Sequence, residues 1–182
     1  VLAIGTSAFG GTLTLTTGAN SADSALQKVS RSWRGTEGIY YCARVQLDDI
    51  TTAKFEVGLA DALTGDTGMV ATKATPTHTG TAYAVFCLDT NDDANVTFIS
   101  AAAGVTGAAA DWTGTLVAAT YIDIEIVVKG AFCSGYINGQ YVGGGAITAT
   151  TLLTPHLMVL TRTTATRLLT VDYQGCIGPR FT

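Results

Sequence analysis

Residues 121–129, YIDIEIVVK, carry the clearest alternation in the chain. Ile122, Ile124, Ile126 and Val128 point one way, and Asp123, Glu125 and Lys129 point the other. A repeat of two is the side-chain period of a β-strand, so this segment has one core face and one solvent face. No stretch of the chain sustains a 3.6-residue period, and the expected class is all-β. The following segment, GAFCSGYINGQYV, places Asn138-Gly139 where a type I′ hairpin turn needs two positive-φ residues, with arms at 132–137 and 140–142. Further strands are expected at 12–16, 38–47, 54–60, 82–88, 96–100, 157–161, 168–173 and 115–118. The turn-rich stretches LDDITT, DALTGDTG, TPTHTG and DTNDDAN lie between them. SAAAGVTGAAADW tolerates helix but carries two glycines, and reads as a loop or a single turn. Short strands at this spacing build a sandwich or a barrel.

A chain of 182 residues suits one domain. Residues 1–28 read as an N-terminal strand followed by a polar arm, a candidate inter-subunit contact, and 29–182 as the main domain. The net charge of −4, with no basic cluster, gives no footprint for nucleic acid. The charge-free run 130–161 contains six glycines, Asn138, Gln140 and Pro155, which rules it out as a membrane-spanning helix. Residues 1–22 are also uncharged but lack a basic start and a compact apolar run, so they read as strand rather than leader. Four cysteines, Cys42, Cys87, Cys133 and Cys176, are 43 to 46 residues apart in apolar settings, without CxxC spacing. They read as core thiols.

Longer patterns carry a resemblance. GIYYCARVQLDDITTAKFEVGLADA is an aromatic-led strand, an acidic turn and a strand with a G-L-A-D tail. YAVFCLDTNDDANVTFISAA, the YIDIEIVVKGAFCSGYINGQYV hairpin and LTPHLMVLTRTTATRLLTVDYQGCIGPRF follow it. Together they resemble concanavalin A-like, laminin-G-like jelly rolls over residues 38–181, and imply a two-sheet antiparallel β-sandwich. Sandwiches with a GLAD-type strand end resemble structural proteins of tailed bacteriophages, which implies a virion component. The same architecture serves lectins, glycosidases and adhesion modules, so each needs a site of its own.

Glycosidases of this fold need paired carboxylates flanking one bond. Asp123 and Glu125 are the nearest match, at i and i+2 and roughly 7 Å apart. No third acid follows on that strand, and the sequence offers no nearby tryptophan platform, Trp33 and Trp112 being the chain's two tryptophans. The pair reads as the wet face of an amphipathic strand, and no catalytic residue is assigned. Asp89, Asn91, Asp93 and Asn95 imitate half of a calcium loop, but Ala94 stands where glycine is needed and Ser100 where a bidentate Glu belongs. They read as a polar turn, with no metal ligand. His78 and His156 lie beside threonine or proline with no nucleophile elbow, and read as loop and strand-end residues. Gly143–Gly145 leads into ITATT rather than a helix, which leaves no phosphate cradle, and no cofactor site is assigned.

Only 13% of residues are charged while 47% are hydrophobic, with 31 threonines and 21 glycines. A surface so poor in charge is best covered by other chains, with runs 1–22 and 130–161 as the natural contacts. The leading expectation is a non-enzymatic capsid decoration or cement protein. It would self-associate and bridge major capsid subunits on the outer capsid surface, assembled in the host cytoplasm. The alternative is a carbohydrate- or receptor-binding module of a tail fibre or baseplate. Most of the seven tyrosines read as lying inside strand patterns, which counts mildly against a lectin.

Overall fold

The computed structural model describes residues 2–6, 11–27, 32–62 and 67–179. The chain begins with β1 (Leu2–Thr6), β2 (Gly11–Thr16), β3 (Ser24–Gln27) and β4 (Trp33–Arg34), then a 3-10 turn at Gly35–Glu37. The strands β5 (Ile39–Leu47) and β6 (Ala53–Ala60) precede a short ribbon, β7 (Val70–Thr72) and β8 (Thr77–His78). Two meanders follow: β9 (Tyr83–Asp89), β10 (Asp93–Ala102) and β11 (Val105–Asp111), then β12 (Ile122–Lys129), β13 (Phe132–Ile137) and β14 (Gln140–Ala146). The last strands are β15 (Leu152–Thr161) and β16 (Leu168–Ile177).

These strands form two antiparallel sheets packed face to face. The front sheet runs β1-β2-β16-β5-β12-β13-β14, and the back sheet runs β11-β10-β9-β6-β15-β3 with β4 beside β15. Alternation decides which side chains meet between them. From the front sheet, Tyr41, Ala43, Val45, Ile124 and Ile126 face inward, and from the back sheet Phe55, Val57, Phe86, Phe98 and Leu157 meet them. The Phe86 and Phe98 rings pack 5.1 Å apart. The all-β, two-sheet antiparallel jelly-roll sandwich expected from the sequence is the fold.

The glycine run closes one side of the sandwich. A Cβ on Gly145 would lie 2.1 Å from the carbonyl oxygen of Gly107 on β11, and one on Gly143 would lie 2.7 Å from Ala110 Cβ. Side-chain-free backbone lets the edge strands β14 and β11 approach each other. The turn beyond β13 has Asn138 at φ 52° and Gly139 at φ 74°, as a type I′ hairpin requires.

The sequence reading departs from the structure in several places. SAAAGVTGAAADW is not a loop: Ala103 and Gly104, both at positive φ, turn the chain into strand β11, which pairs with β10. Alanine and glycine serve there because β11 lies against β14. Residues 115–118 form no strand. Leu116 is buried while Val117 is exposed, and the Ala119 N–H donates to the carbonyl of Leu47 at 2.7 Å. β15 begins five residues before its expected start, with Pro155 opposite Leu59 of β6. β3 forms inside the polar segment read as an arm and pairs with β15, and β2 pairs with β16 and buries Leu15. The proposed boundary at 28/29, and residues 63–66 of DALTGDTG, lie outside the described residues.

Both faces of β6 and β9 are buried, unlike the alternation of β5 and β12. Residues 67–80, which include the β7–β8 ribbon, cover the outer side of the back sheet. Met69 and Val70 pack there on Tyr83, Val85, Cys87 and Ile99.

Candidate functional site on the front sheet

The outer side of the front sheet is open, and strand register arranges it in rows. One row reads Ile177, Tyr40, Val127, Ser134 from β16 to β13. The next reads Gly175, Cys42, Glu125, Tyr136, Tyr141 from β16 to β14. The third reads Tyr173, Arg44, Asp123. In the middle row, Gly175 and Cys42 stand opposite each other, and a Cβ on Gly175 would lie 3.2 Å from Cys42 Sγ. The floor is therefore low, and the tyrosines on either side stand above it.

A β-bulge sets one of those walls. Val171 pairs with Val45 and Tyr173 with Arg44, so Asp172 is an extra residue on β16. Bulges re-aim side chains. Here Val171 stays in the core while Asp172 and Tyr173 both face solvent. A second bulge between Gly135 and Tyr136 aligns Tyr136 with Tyr141, and their rings meet edge-on at 5.6 Å. Tyr40, Tyr141 and Tyr173 lie within strands, as read from the sequence, but are 37%, 56% and 45% exposed, so their strand placement does not count against a lectin.

The polar groups are held in place. Tyr40 Oη donates to Glu125 Oε2 at 2.8 Å, and Tyr173 Oη donates to Asp123 Oδ1 at 3.0 Å. The Glu125 hydrogen bond, with burial second, pushes the Tyr40 phenol up to about 12, and burial followed by the Asp123 bond raises Tyr173. Both phenols are therefore neutral donors at ordinary pH. Arg44 Nε lies 4.0 Å from Asp123 Oδ1 and 3.9 Å from Asp172 Oδ2, and its guanidinium stacks 5.2 Å from the Tyr121 ring centroid. Beyond Tyr40 the face continues into a shallow, mainly apolar depression of about 490 Å³ whose lining includes Val127, Ile177 and Lys129. Such a surface offers aromatic faces for C–H groups and carboxylates with free lone pairs for hydroxyl donors.

Asp123 and Glu125 thus lie on the outer face, as their alternation implied, but each is tied to a tyrosine: Glu125 to Tyr40 on the adjacent β5, and Asp123, across β5, to Tyr173 on β16. Sequence reasoning missed Tyr40, Arg44, Tyr121 and Tyr173. The alternation of β5 placed Tyr40 and Arg44 on one face with Cys42, and that signal was available. The bulge that turns Tyr173 outward had none.

The other candidates resolve into structural roles. Trp33 and Trp112 are buried, and Trp112 Nε1 donates to Gln140 Oε1 at 3.2 Å. The Asp89–Asn95 segment is the β9–β10 turn: Asp89 and Asp93 accept the backbone N–H groups of Asn91 and Asn95 at 3.2 and 2.7 Å. The Lys73 ammonium reaches in from outside the turn, bonding Asp93 and, at 2.7 Å, the Asn95 carbonyl. His78 hydrogen-bonds Tyr83 and Thr106. His156 is not at a strand end: it is fully buried in mid-β15, with Nε2 3.0 Å from Glu56 Oε2. Around that pair, the Lys54 ammonium lies 3.3 Å from Glu56 and 3.8 Å from Asp89, and Arg162 clasps Asp89. Glu56 also accepts the N–H groups of Met69 and Val70 at 2.6 and 3.0 Å, and Lys54 donates to the carbonyls of Thr67 and Val70. Burial raises the Glu56 carboxyl, but His156 and Lys54 outweigh it and hold the group below its usual range. This network fastens residues 67–70 onto the back sheet. All four cysteines are free thiols; Cys87 and Cys133 are buried and Cys176 is partly buried against the core, while Cys42 lies half-buried on the outer face rather than in the core.

No family model matches the chain, and no curated protein matches it in sequence. Solved structures do match in shape. The carbohydrate binding module CBM66 from Bacillus subtilis aligns with 97% of this chain and 91% of its own, at TM-score 0.53 and 10% identity. The carbohydrate recognition domain of Emp47p covers 98% of this chain and 87% of its own, at TM-score 0.62 and 9% identity. An alginate lyase from Corynebacterium sp. covers 98% and 81%, at TM-score 0.63 and 10% identity. The chain is therefore a jelly-roll sandwich of the concanavalin-like kind. At such identities the likeness shows the fold, and the role must come from the surface this chain presents.

Proposed function

We propose that this chain is a carbohydrate-binding module whose ligand lies across the outer face of the front sheet. One observation carries the reading: the low Gly175–Cys42 floor lies between Tyr40 and Tyr173, and each tyrosine holds a carboxylate, Glu125 or Asp123, by a hydrogen bond. A sugar ring stacks its C–H face on an aromatic wall while its hydroxyls donate to fixed acceptors, and this face supplies both. From β16 to β14 it spans four strand spacings, about 19 Å, room for a short oligosaccharide. The similar structures, two carbohydrate-binding domains and an alginate lyase, support a saccharide ligand. In this reading the carboxylates hold hydroxyls and break no bond.

Affinity electrophoresis against a panel of neutral and charged polysaccharides tests it. Wild type should be retarded by at least one of them, and Tyr40→Ala/Tyr173→Ala should lose about tenfold or more in affinity while still unfolding in one cooperative thermal transition. Free migration through every polysaccharide would reject the reading, and release of reducing ends from the retarding one would replace binding with catalysis.

A second reading keeps the chain as a virion shell protein that self-associates and bridges major capsid subunits. Phe132 and Leu152, 52% and 43% exposed, favour it as solvent-facing apolar groups inside the charge-free run 130–161. Sedimentation of the pure protein and its co-sedimentation with expanded capsids separate this reading from the first.

A further inference from the structure

The charge of the front face narrows the ligand class. We infer that the face takes cationic amino-sugar chains, glucosamine-type oligosaccharides with free amines, in preference to their N-acylated or uronate counterparts. The inference rests on the carbohydrate reading above and deepens it. Three carboxylates, Asp123, Glu125 and Asp172, surround the Gly175–Cys42 floor together with one guanidinium, Arg44. That guanidinium is engaged within the protein, near both aspartates and over the Tyr121 ring. Glu125 takes its hydrogen bond from the neutral Tyr40 phenol, so its negative charge has no cation beside it in the row Gly175, Cys42, Glu125, Tyr136.

An ammonium group on a stacked sugar is the complement of that arrangement. Its three N–H donors can reach Glu125 and Asp123 while the ring lies on Tyr40 or Tyr173, and a charge-assisted hydrogen bond is stronger than a neutral one. An acetamide at the same position loses the charge. A uronate brings a carboxylate within a Debye length of three others, and like charges placed together discriminate against a ligand. The aromatic walls make this a stacked site for a ring rather than a bare acidic patch for a metal ion.

The test is calorimetric titration, at about pH 5.5 where sugar amines are protonated, with a glucosamine hexamer, its fully N-acetylated form and an oligo-alginate of equal length. The free-amine hexamer should bind at least about tenfold tighter than the acetylated one, with the alginate weakest. In about 0.5 M NaCl the ratio should fall towards unity, because screening removes the charge contribution and leaves the stacking. Asp123→Asn/Glu125→Gln, confirmed as folded by its melting temperature, should lose the same preference at low salt. Equal binding of the two hexamers in wild type, or tightest binding of the alginate, would overturn this inference and leave the carbohydrate reading standing. If none of the three binds and no neutral polysaccharide does, both fall.

Discussion

The Tyr40 hydroxyl reaches diagonally from its place opposite Val127 to Glu125, one row away on β12, and donates to it at 2.8 Å. That single bond fixes a ring and a carboxylate with respect to each other on an open sheet, where either side chain alone would sample several rotamers. The bond favours the neutral phenol, because ionising Tyr40 would place two negative charges together. Its ionisation should therefore be seen at about pH 12 by carbon NMR of labelled tyrosine, and Glu125→Gln should return it towards the ordinary value of 10. The sign for stability follows. A raised phenol contributes below pH 10 and loses its contribution as pH rises through 12, so the variant should lose less stability on the alkaline side than wild type. An unchanged Tyr40 titration in the variant would show that the bond does not form in solution.

The buried network under residues 67–80 should behave in the opposite sense. Glu56 has its carboxyl held below the ordinary 4.5, so its contribution is complete above that value and is lost as pH falls through the depressed one. Glu56→Ala leaves Lys54 buried without its nearest anion and two backbone N–H groups without an acceptor, and should cost about 3–5 kcal/mol at neutral pH. The variant's stability should then depend less on pH below about 4.5. Urea unfolding at several pH values measures both effects, and a loss under about 1 kcal/mol would show the network to be dispensable.

Closure of the sandwich between β14 and β11 depends on absent side chains. A Cβ on Gly145 would meet Gly107's carbonyl at 2.1 Å, a contact with backbone that cannot rotate away. Gly145→Val should cost at least about 3 kcal/mol, whereas a substitution at Gly104, where an added Cβ meets nothing within 4 Å, should cost only the turn's positive φ, about 1 kcal/mol. Thermal unfolding of the two variants makes the comparison, and equal losses would show that strain in the turn, not the sheet approach, sets the cost.

The sequence disclosed the fold wherever a strand has one wet face. Ile122 to Val128 and Ile39 to Leu47 alternate, and their boundaries match closely. It was less clear where both faces are covered: β6 reads as continuous apolar residues interrupted by Lys54 and Glu56, and those two charges are fully buried in pairs rather than facing water. Residues 105–111 lacked a strand signal because alanine and glycine are chosen there for close approach, not for β propensity. At the candidate site, Asp123 and Glu125 were visible as a pair on one face. Their tyrosine partners are 50 and 85 residues away in sequence, and pairing at that range follows from sheet order, which strand periodicity does not encode.

The last prediction concerns the turn between β9 and β10, whose alternating Asp and Asn residues imitate a calcium loop. The position a cation would take beside Asp93 and the Asn95 carbonyl is filled by the Lys73 ammonium, which is almost fully buried and brought in from the segment that covers the back sheet. Asp92 accepts the backbone N–H of Lys73 at 2.6 Å and that of Ala74 at 3.1 Å, so the turn and the covering segment hold each other. An ammonium and a calcium ion compete for the same oxygen atoms, and the covalently tethered one has the higher effective concentration. The melting temperature of wild type should therefore be the same in EDTA and in millimolar calcium. Lys73→Met keeps the aliphatic packing but leaves Asp93 and the carbonyl without their cation, and should cost about 1–3 kcal/mol, less than a fully buried pair because Asp93 is 40% exposed. A calcium-dependent rise in the wild-type melting temperature would mean that the ion displaces Lys73, and that this turn is a metal site after all.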